Sequence, residues 1–323
     1  MSVSRVAAID AGTNTFRLLV ADSPETVLAP RCKEQEIPRL GEGFAPHGRL
    51  QEAAMARGLA VMARFAARLA ACRPLRVRAV ATSVVREAAN GGEFIARVRR
   101  ETGIPLEVID GEEEASLTAL GVWRSLPPTG GPLFLFDIGG GSTEFTYLAA
   151  DGRRCFSRSC PFGVVKLTEQ YLVDDPPAAA AARQLTAAVD LYLDQLFSSL
   201  AAAGLYPFAR EVTLVGSAGT MTTFAAVDQE LAVYEPARVH GCRLSRERLA
   251  VLHERLWRLP RPARARVPGL EPGRADVILA GGLIALRIMD RAGFSRVTVS
   301  DCSLLEGIAF SLFGAGEPPS ACM

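Results

Sequence analysis

The sequence predicts an α/β protein of two related domains, and three observations carry that expectation. The chain has 323 residues, about twice the roughly 150 that one domain takes. Apolar strand-like runs alternate with segments of helical period along its length. One local design also occurs twice: an apolar strand ending in aspartate, a turn of glycines and hydroxyl residues, and a returning strand. One copy is VAAIDAGTNTFRLLVAD, from Val6 to Asp22, and the other is LFLFDIGGGSTEFTYL, from Leu133 to Leu148. Such self-similarity marks an internal structural repeat.

Composition narrows the chemistry. Hydrophobic residues make up 49% of the chain, ample for a core, and the formal net charge is +1. Global charge therefore announces neither a nucleic-acid nor a membrane partner, and no apolar run is long enough to span a bilayer. The start, MSVSRVAAID, lacks a signal-peptide pattern. Seven cysteines are scattered, and the nearest pair, Cys155 and Cys160, fits no zinc knuckle. An odd count without a secretion signal favours reduced thiols in the cytoplasm. With only His47, His240 and His253, a zinc hydrolase is disfavoured.

In order, Val6 to Ile9 form a strand, Asp10 ends it, Gly12, Thr13, Asn14 and Thr15 turn, and Phe16 to Val20 return, carrying Arg17. Residues 24–50 read as further strand and loop, because Pro24, Pro30, Pro38 and Pro46 break any helix. Helical spacing of Met55, Leu59, Met62 and Leu69 predicts a helix from Leu50 to Cys72. A strand follows from Val77 to Ala81, then a helix capped by Thr82 or Ser83, with Arg86 one turn in, continuing through Phe94 to Arg100 and ending at Gly103. Arg86 follows a strand C-terminus, where ligand sites open in α/β sheets. Leu106 to Ile109 is the next strand. Glu112, Glu113 and Glu114 then open a helix, where carboxylates favour the dipole. One of them could serve as general base for a water, and helical spacing does not choose among them. Residues 127–131, PPTGG, are the best linker. The expected domains are 1–126 and 132–323.

The second copy of the repeat is the more telling. Gly139, Gly140 and Gly141 remove Cβ atoms, so backbone N–H groups can turn towards an anion. Ser142 and Thr143 add hydroxyls, and Asp137 and Glu144 flank the turn. This suits a metal-bound phosphate and does not suit a dinucleotide fold, whose glycines open a helix. A turn at Asp151-Gly152, a strand from Cys155 to Ser159, a helix after Gly163 and a long helix over 176–203 follow. At 212–228 a strand runs into Gly216, Ser217, Ala218, Gly219 and Thr220 and a helix begins, another place to hold a phosphate or nucleoside. Leu244 to Leu259 reads as an amphipathic helix. Arg258, Arg261, Arg264 and Arg266 form a basic run that could guide a polyanion. An apolar helix over 275–290, a last strand over 297–301 and a last helix over 303–313 complete the chain, with a tail from Gly314 expected to fray.

Taken together these motifs resemble the Ppx/GppA phosphatase family of exopolyphosphatases and guanosine pentaphosphate phosphohydrolases. IDAGTNTFRLLV is similar to its first phosphate hairpin, FDIGGGSTEF to its second and GEEEA to its catalytic-glutamate segment; GVVKLTEQY, VGSAGT and ILAGGLIAL with VTVSDCSLLEGI follow in family order. The resemblance implies an actin-like (ribonuclease H-like) fold of two α/β domains with a cleft between them, and a last helix that packs back on the first domain. It places the catalytic glutamate at Glu114, the family arginine at Arg86 and the second-hairpin carboxylates at Asp137 and Glu144. The family's late Gly-Leu-Arg-Glu-Gly appears here as Ser303-Leu304-Leu305-Glu306-Gly307, without the arginine.

The expected activity is hydrolysis of a terminal phosphoanhydride in polyphosphate or pppGpp. Mg²⁺ or another divalent cation would sit on carboxylates from Asp10, Asp137 or Glu144. Thr13, Asn14, Thr15, Arg17 and Gly12 of one hairpin, Gly139 to Thr143 of the other, and Gly216, Ser217 and Gly219 would bind substrate. Arg86 would stabilise charge, Glu144 would assist, and Glu114 would activate water. The alternatives are an actin-like kinase or ATPase and a non-catalytic (p)ppGpp or polyphosphate sensor. Expected partners are the polyphosphate or guanosine polyphosphate substrate, with no nucleic acid and no membrane, and a homodimer is left open.

Overall fold

The computed structural model describes residues 4–23, 28–44 and 47–314. Pro24, Pro46 and the tail beyond Gly314 lie outside the described residues. The chain divides into two compact units. Among the described residues, unit 1 takes in those up to Ser125 and those from 302 to 314, and unit 2 spans Leu126–Asp301.

Unit 1 opens with the hairpin β1 (Ser4–Ala11) and β2 (Phe16–Ser23), and β3 (Ala29–Glu36) adds an antiparallel strand beside β2. Helix α1 (Glu52–Cys72) leads to β4 (Arg76–Ala81), parallel to β1. Then come α2 (Ser83–Glu87), α3 (Gly91–Thr102), β5 (Leu106–Val108), parallel to β4, and α4 (Gly111–Ser125). The sheet order is β3-β2-β1-β4-β5.

Unit 2 repeats the plan. β6 (Leu133–Ile138), β7 (Thr143–Leu148) and β8 (Arg154–Cys160) form an antiparallel meander. Helices α5 (Val164–Tyr171) and α6 (Ala179–Ala202) precede β9 (Thr213–Ser217), parallel to β6. There follow α7 (Ala218–Asp228), α8 (Pro236–Val239), β10 (Arg243–Ser245), α9 (Arg246–Trp257), α10 (Arg261–Arg264), α11 (Ile278–Ala292) and β11 (Arg296–Val299). The order β10-β11-β9-β6-β7-β8, taken from β8, is that of unit 1 with β10 added at the far edge. The duplicated α/β fold, actin-like in its strand order, is thus the observed one. α12 (Leu304–Leu312) belongs to unit 1.

Strand alternation distributes the unit 1 core to both faces of the sheet. Ala7, Ile9 and Ala11 of β1 pack in one cluster with Met62 and Phe65 of α1 and Phe94 of α3. Val6 and Ala8, pointing the other way, join Leu117 of α4 and Leu305 and Ile308 of α12. Two glycines let α4 and α12 approach backbone to backbone. A Cβ on Gly121 would lie 2.1 Å from the Ser303 carbonyl oxygen, and one on Gly307 would lie 1.8 Å from that of Leu117. Unit 2 has one large cluster, with Phe134 and Phe136 of β6 and Phe145 of β7 at its centre.

Three expectations are corrected. The helix expected to run unbroken from Thr82 to Arg100 is two, α2 and α3. Asn90 sits between them, and its side chain donates to the Leu50 carbonyl (3.0 Å) and accepts from the Leu50 N–H (2.8 Å), so the break is held by a tertiary anchor. The helix expected from Leu244 starts at Arg246, because Arg243–Ser245 pair with β11 and the Ser245 hydroxyl accepts from the Arg248 N–H at 3.1 Å. The basic run is largely spent inside its own unit. Arg258 pairs with Glu254, Arg261 with Asp276, and Arg264, 2% exposed, with Asp175.

Candidate functional site

In unit 1 the structure separates the three glutamates. The Asp110 carboxylate accepts from the Glu112 and Glu113 N–H groups (3.0 and 2.8 Å) and so caps α4. Glu112 is exposed. Glu113 pairs with Arg78 of β4, which also holds Glu107. Glu114 is buried, and its Oε2 accepts from Nη1 of Arg86 at 3.2 Å. The same Nη1 donates to the Ile109 carbonyl at 2.8 Å, which fixes the guanidinium at the end of the β4–β5 edge. The guanidinium favours the ionised form of the buried carboxylate and fixes its orientation.

The first hairpin turn is closed by a bond from the Gly12 N–H to the Thr15 carbonyl (3.1 Å). Thr13 and Asn14 are buried, and the Asn14 side-chain nitrogen has no hydrogen-bond partner among the described residues. Such an orphaned donor is costly unless something arrives to accept from it. Asp10 and Arg17 are direct cross-strand partners. Arg17 donates through Nε (3.0 Å) and Nη2 (2.6 Å) to Asp10 Oδ2, and through Nη1 to the Ser303 hydroxyl (2.9 Å). Both residues expected to meet metal or substrate here are thus paired with each other. Ser303 is the N-cap of α12, its N–H donates to Glu306 (2.9 Å), and Glu306 pairs with Lys33 of β3 at 3.1 Å.

The second hairpin has the same closing bond, from the Gly139 N–H to the Ser142 carbonyl at 3.0 Å. At the register position of Asp10 and Arg17 it carries Asp137 opposite Glu144. Both are buried. Asp137 Oδ2 accepts from the Ser217 hydroxyl (2.6 Å), and Glu144 Oε1 from Ser159 (2.7 Å). Where the unit 1 position pairs a carboxylate with a guanidinium, the unit 2 position sets two carboxylates side by side. Among the described residues no three His, Cys, Asp or Glu side chains converge as a metal cluster. Two hard carboxylates suit Mg²⁺, which commonly takes one or two protein carboxylates and fills its shell with water and phosphate.

Other expected contacts sort differently. Thr143 is fully buried and its hydroxyl donates to the Phe162 carbonyl at 2.8 Å, so its side chain ties the turn to the segment after β8. Ser217 is likewise spent on Asp137. A Cβ on Gly216 would lie 2.7 Å from both Met221 and Phe136 side chains, so this glycine serves close packing. Gly219, in the first turn of α7, lies under the guanidinium of Arg274, which would stand 1.8 Å from a Cβ there. The sequence reading passed over Arg274, Asp110 and Ser159. Only Asp110 left a signal, a capping residue ahead of the glutamates.

Comparison with known proteins converges on one family. A model of the Ppx/GppA phosphatase family matches residues 19–315. The chain is 36% identical to Exopolyphosphatase 2 of Mycobacterium tuberculosis over 327 residues, 97% of this chain and 100% of that one. It is 29% identical to Exopolyphosphatase 1 of the same organism over 305 residues, 94% of this chain and 87% of that one. Among solved structures, the Ppx/GppA family member from Aquifex aeolicus superposes with a TM-score of 0.80 at 32% identity, covering 97% of this chain and 98% of that one. An exopolyphosphatase from Cytophaga hutchinsonii gives a TM-score of 0.88 at 27% identity, covering 97% and 98%. Among the described residues no helix is long and apolar enough to cross a membrane.

Proposed function

Because the chain belongs to the Ppx/GppA phosphatase family, we propose that it releases orthophosphate from the end of inorganic polyphosphate by hydrolysis, with Glu114 as the base. The observation that carries this reading is the buried Glu114 carboxylate held by Arg86. A water oxygen attacks the terminal phosphorus while its proton passes to Glu114. The bridging P–O bond breaks, and its electron pair leaves with the shortened chain. Arg86 keeps the carboxylate in place and meets charge on the departing phosphoryl oxygens. Within unit 1, Asn14 offers its amide to a phosphate oxygen; within unit 2, the backbone N–H groups of the glycine turn are donors of the same kind. Asp137 and Glu144 would hold the divalent cation. Bound there, it would offset the charge of the phosphate chain.

The similarity to exopolyphosphatases along the whole chain supports polyphosphate as the substrate class, and pppGpp is the second arm of the test. Phosphate release by the purified protein is measured with polyphosphate, pppGpp and ATP side by side, with Mg²⁺ and after chelation. Release from polyphosphate that stops on chelation and returns with Mg²⁺ is expected. Saturable binding without release would overturn the hydrolase reading in favour of a sensor, and ADP formed only with an acceptor present would point to a kinase.

A further inference from the structure

The chemistry proposed above needs the turn N–H groups aimed at the phosphate, and a turn does not aim itself. In unit 2 the N–H groups of Val164 and Val165, at the start of α5, donate to the carbonyls of Gly139 (3.0 Å) and Gly140 (2.8 Å). The described cis peptides are Asp175-Pro176 and Tyr206-Pro207, so the turn peptides are trans. A trans peptide sets its C=O and N–H on opposite sides. With those two carbonyls turned to α5, the Gly140 and Gly141 N–H groups face away from it.

Gly163 makes this docking possible. Its φ of −151° and ψ of 172° are ordinary extended values, so backbone freedom is not what requires glycine. Contact is: a Cβ would stand 2.5 Å from the carbonyl carbon and oxygen of Gly140 and 2.6 Å from the nitrogen of Gly141. These are backbone atoms of the turn itself and cannot yield without moving it.

Unit 1 reaches the same result with an unrelated element. After β3, the N–H of Arg39 donates to the Asn14 carbonyl (3.1 Å) and that of Gly41 to the Thr13 carbonyl (2.8 Å). The Asn14 and Thr15 N–H groups therefore face the other way. A Cβ on Gly41 would meet the Thr13 methyl at 2.4 Å and the Thr13 carbonyl at 3.3 Å. A loop in one unit and a helix start in the other thus press a glycine against the back of the repeated turn.

We propose that Gly41 and Gly163 are positioning residues, each seating a backing element that orients the N–H groups of its phosphate turn. The proposal rests on the polyphosphate hydrolase reading. It is tested on the full chain by KM and kcat for polyphosphate, by equilibrium binding of polyphosphate, and by thermal melting. The control is Gly282→Ala, whose Cβ would overpack the same unit 2 core against His253 and Phe224 (2.5 Å each) away from the turn. Gly163→Ala should raise KM and the binding constant by about tenfold or more, the loss expected for one or two misdirected charged hydrogen bonds. Gly282→Ala should lower the melting temperature yet leave KM within about twofold, since distant sites act independently. Gly41→Ala should raise KM likewise. Adding Thr13→Ser, which removes the opposing methyl, should return it to the value of Thr13→Ser alone.

Unchanged KM and binding in folded Gly163→Ala and Gly41→Ala would overturn the proposal, as would an equal change in Gly282→Ala. Should Gly163→Ala fail to fold, the Gly41 pair decides, and absence of rescue by Thr13→Ser counts against it. A wild-type protein that binds polyphosphate without releasing phosphate defeats the hydrolase reading alone, since the binding measurements still judge the two glycines.

Discussion

Glu114 and Arg86 act as one unit at the residue scale. Nη1 of Arg86 is shared between the Ile109 carbonyl and the Glu114 carboxylate, so truncating it takes a hydrogen bond from the carboxylate and, in the proposed mechanism, a charge from the reacting phosphate. Arg86→Ala should lower kcat by about 10²–10³, measured as initial phosphate release at saturating polyphosphate. Arg86→Lys should recover little of it, because a compact ammonium on a flexible stem lacks the fixed planar fork that seats one nitrogen on both acceptors and leaves further N–H donors for a phosphate. Which glutamate is buried beside Arg86 was only partly legible. Glu113 and Glu114 both share a helical face with Leu117, so spacing left them equal. What separates them is Arg78 within β4 and Arg86 just beyond it, a difference that exists only once the strand and helix are side by side. Asp10 and Arg17 teach the converse. Each is a plausible ligand group in the sequence, and the register that places them opposite one another makes them each other's partner.

Elements carry the next level. α12 is tied to unit 1 by its capping box, in which the Ser303 side chain accepts from the backbone at Glu306 and the Glu306 carboxylate accepts from the Ser303 N–H. Glu306 also holds Lys33, and Ser303 holds Arg17. Glu306→Ala should cost about 1–2 kcal/mol, read from urea unfolding of unit 1. Gly307→Ala should cost at least as much, since overpacking a tight contact costs about 1–3 kcal/mol and the atom met is a backbone carbonyl. The Ser-x-x-Glu spacing at 303–306 is visible in the sequence and marks the helix start. Its role in steadying Arg17 is not, because that contact joins residues from opposite ends of the chain. The break between α2 and α3 was hidden for the same reason: Asn90 reads as an ordinary helix residue until Leu50 is beside it.

At the scale of the whole molecule, the two units answer acid differently. Burial pushes the ring of His253 in unit 2 below its ordinary 6.5. Beneath pH 6.5 the unfolded chain therefore binds a proton that the folded chain does not, and stability falls as pH drops through that window. In unit 1 the hydrogen bond from Arg5, with help from Arg31, holds Asp22 at about 2 against 3.8 when unfolded. Its stabilisation is present above the unfolded value and lost as pH falls towards 2. The urea midpoint of unit 2 should start to fall beneath pH 6.5, whereas the Asp22 contribution to unit 1 holds until about pH 4. His253→Gln should flatten the first decline. The duplication itself was legible from the repeated strand, aspartate, glycine and hydroxyl design, because a hairpin is a local object.

In the proposed reaction Glu114 deprotonates the attacking water. Its most direct test is Glu114→Gln, which keeps the shape and removes the base, assayed for phosphate release and for equilibrium binding of polyphosphate. The expected result is a kcat lower by about 10²–10⁴ with binding within a few-fold of wild type. Turnover near the wild-type rate in a folded Glu114→Gln protein would contradict it.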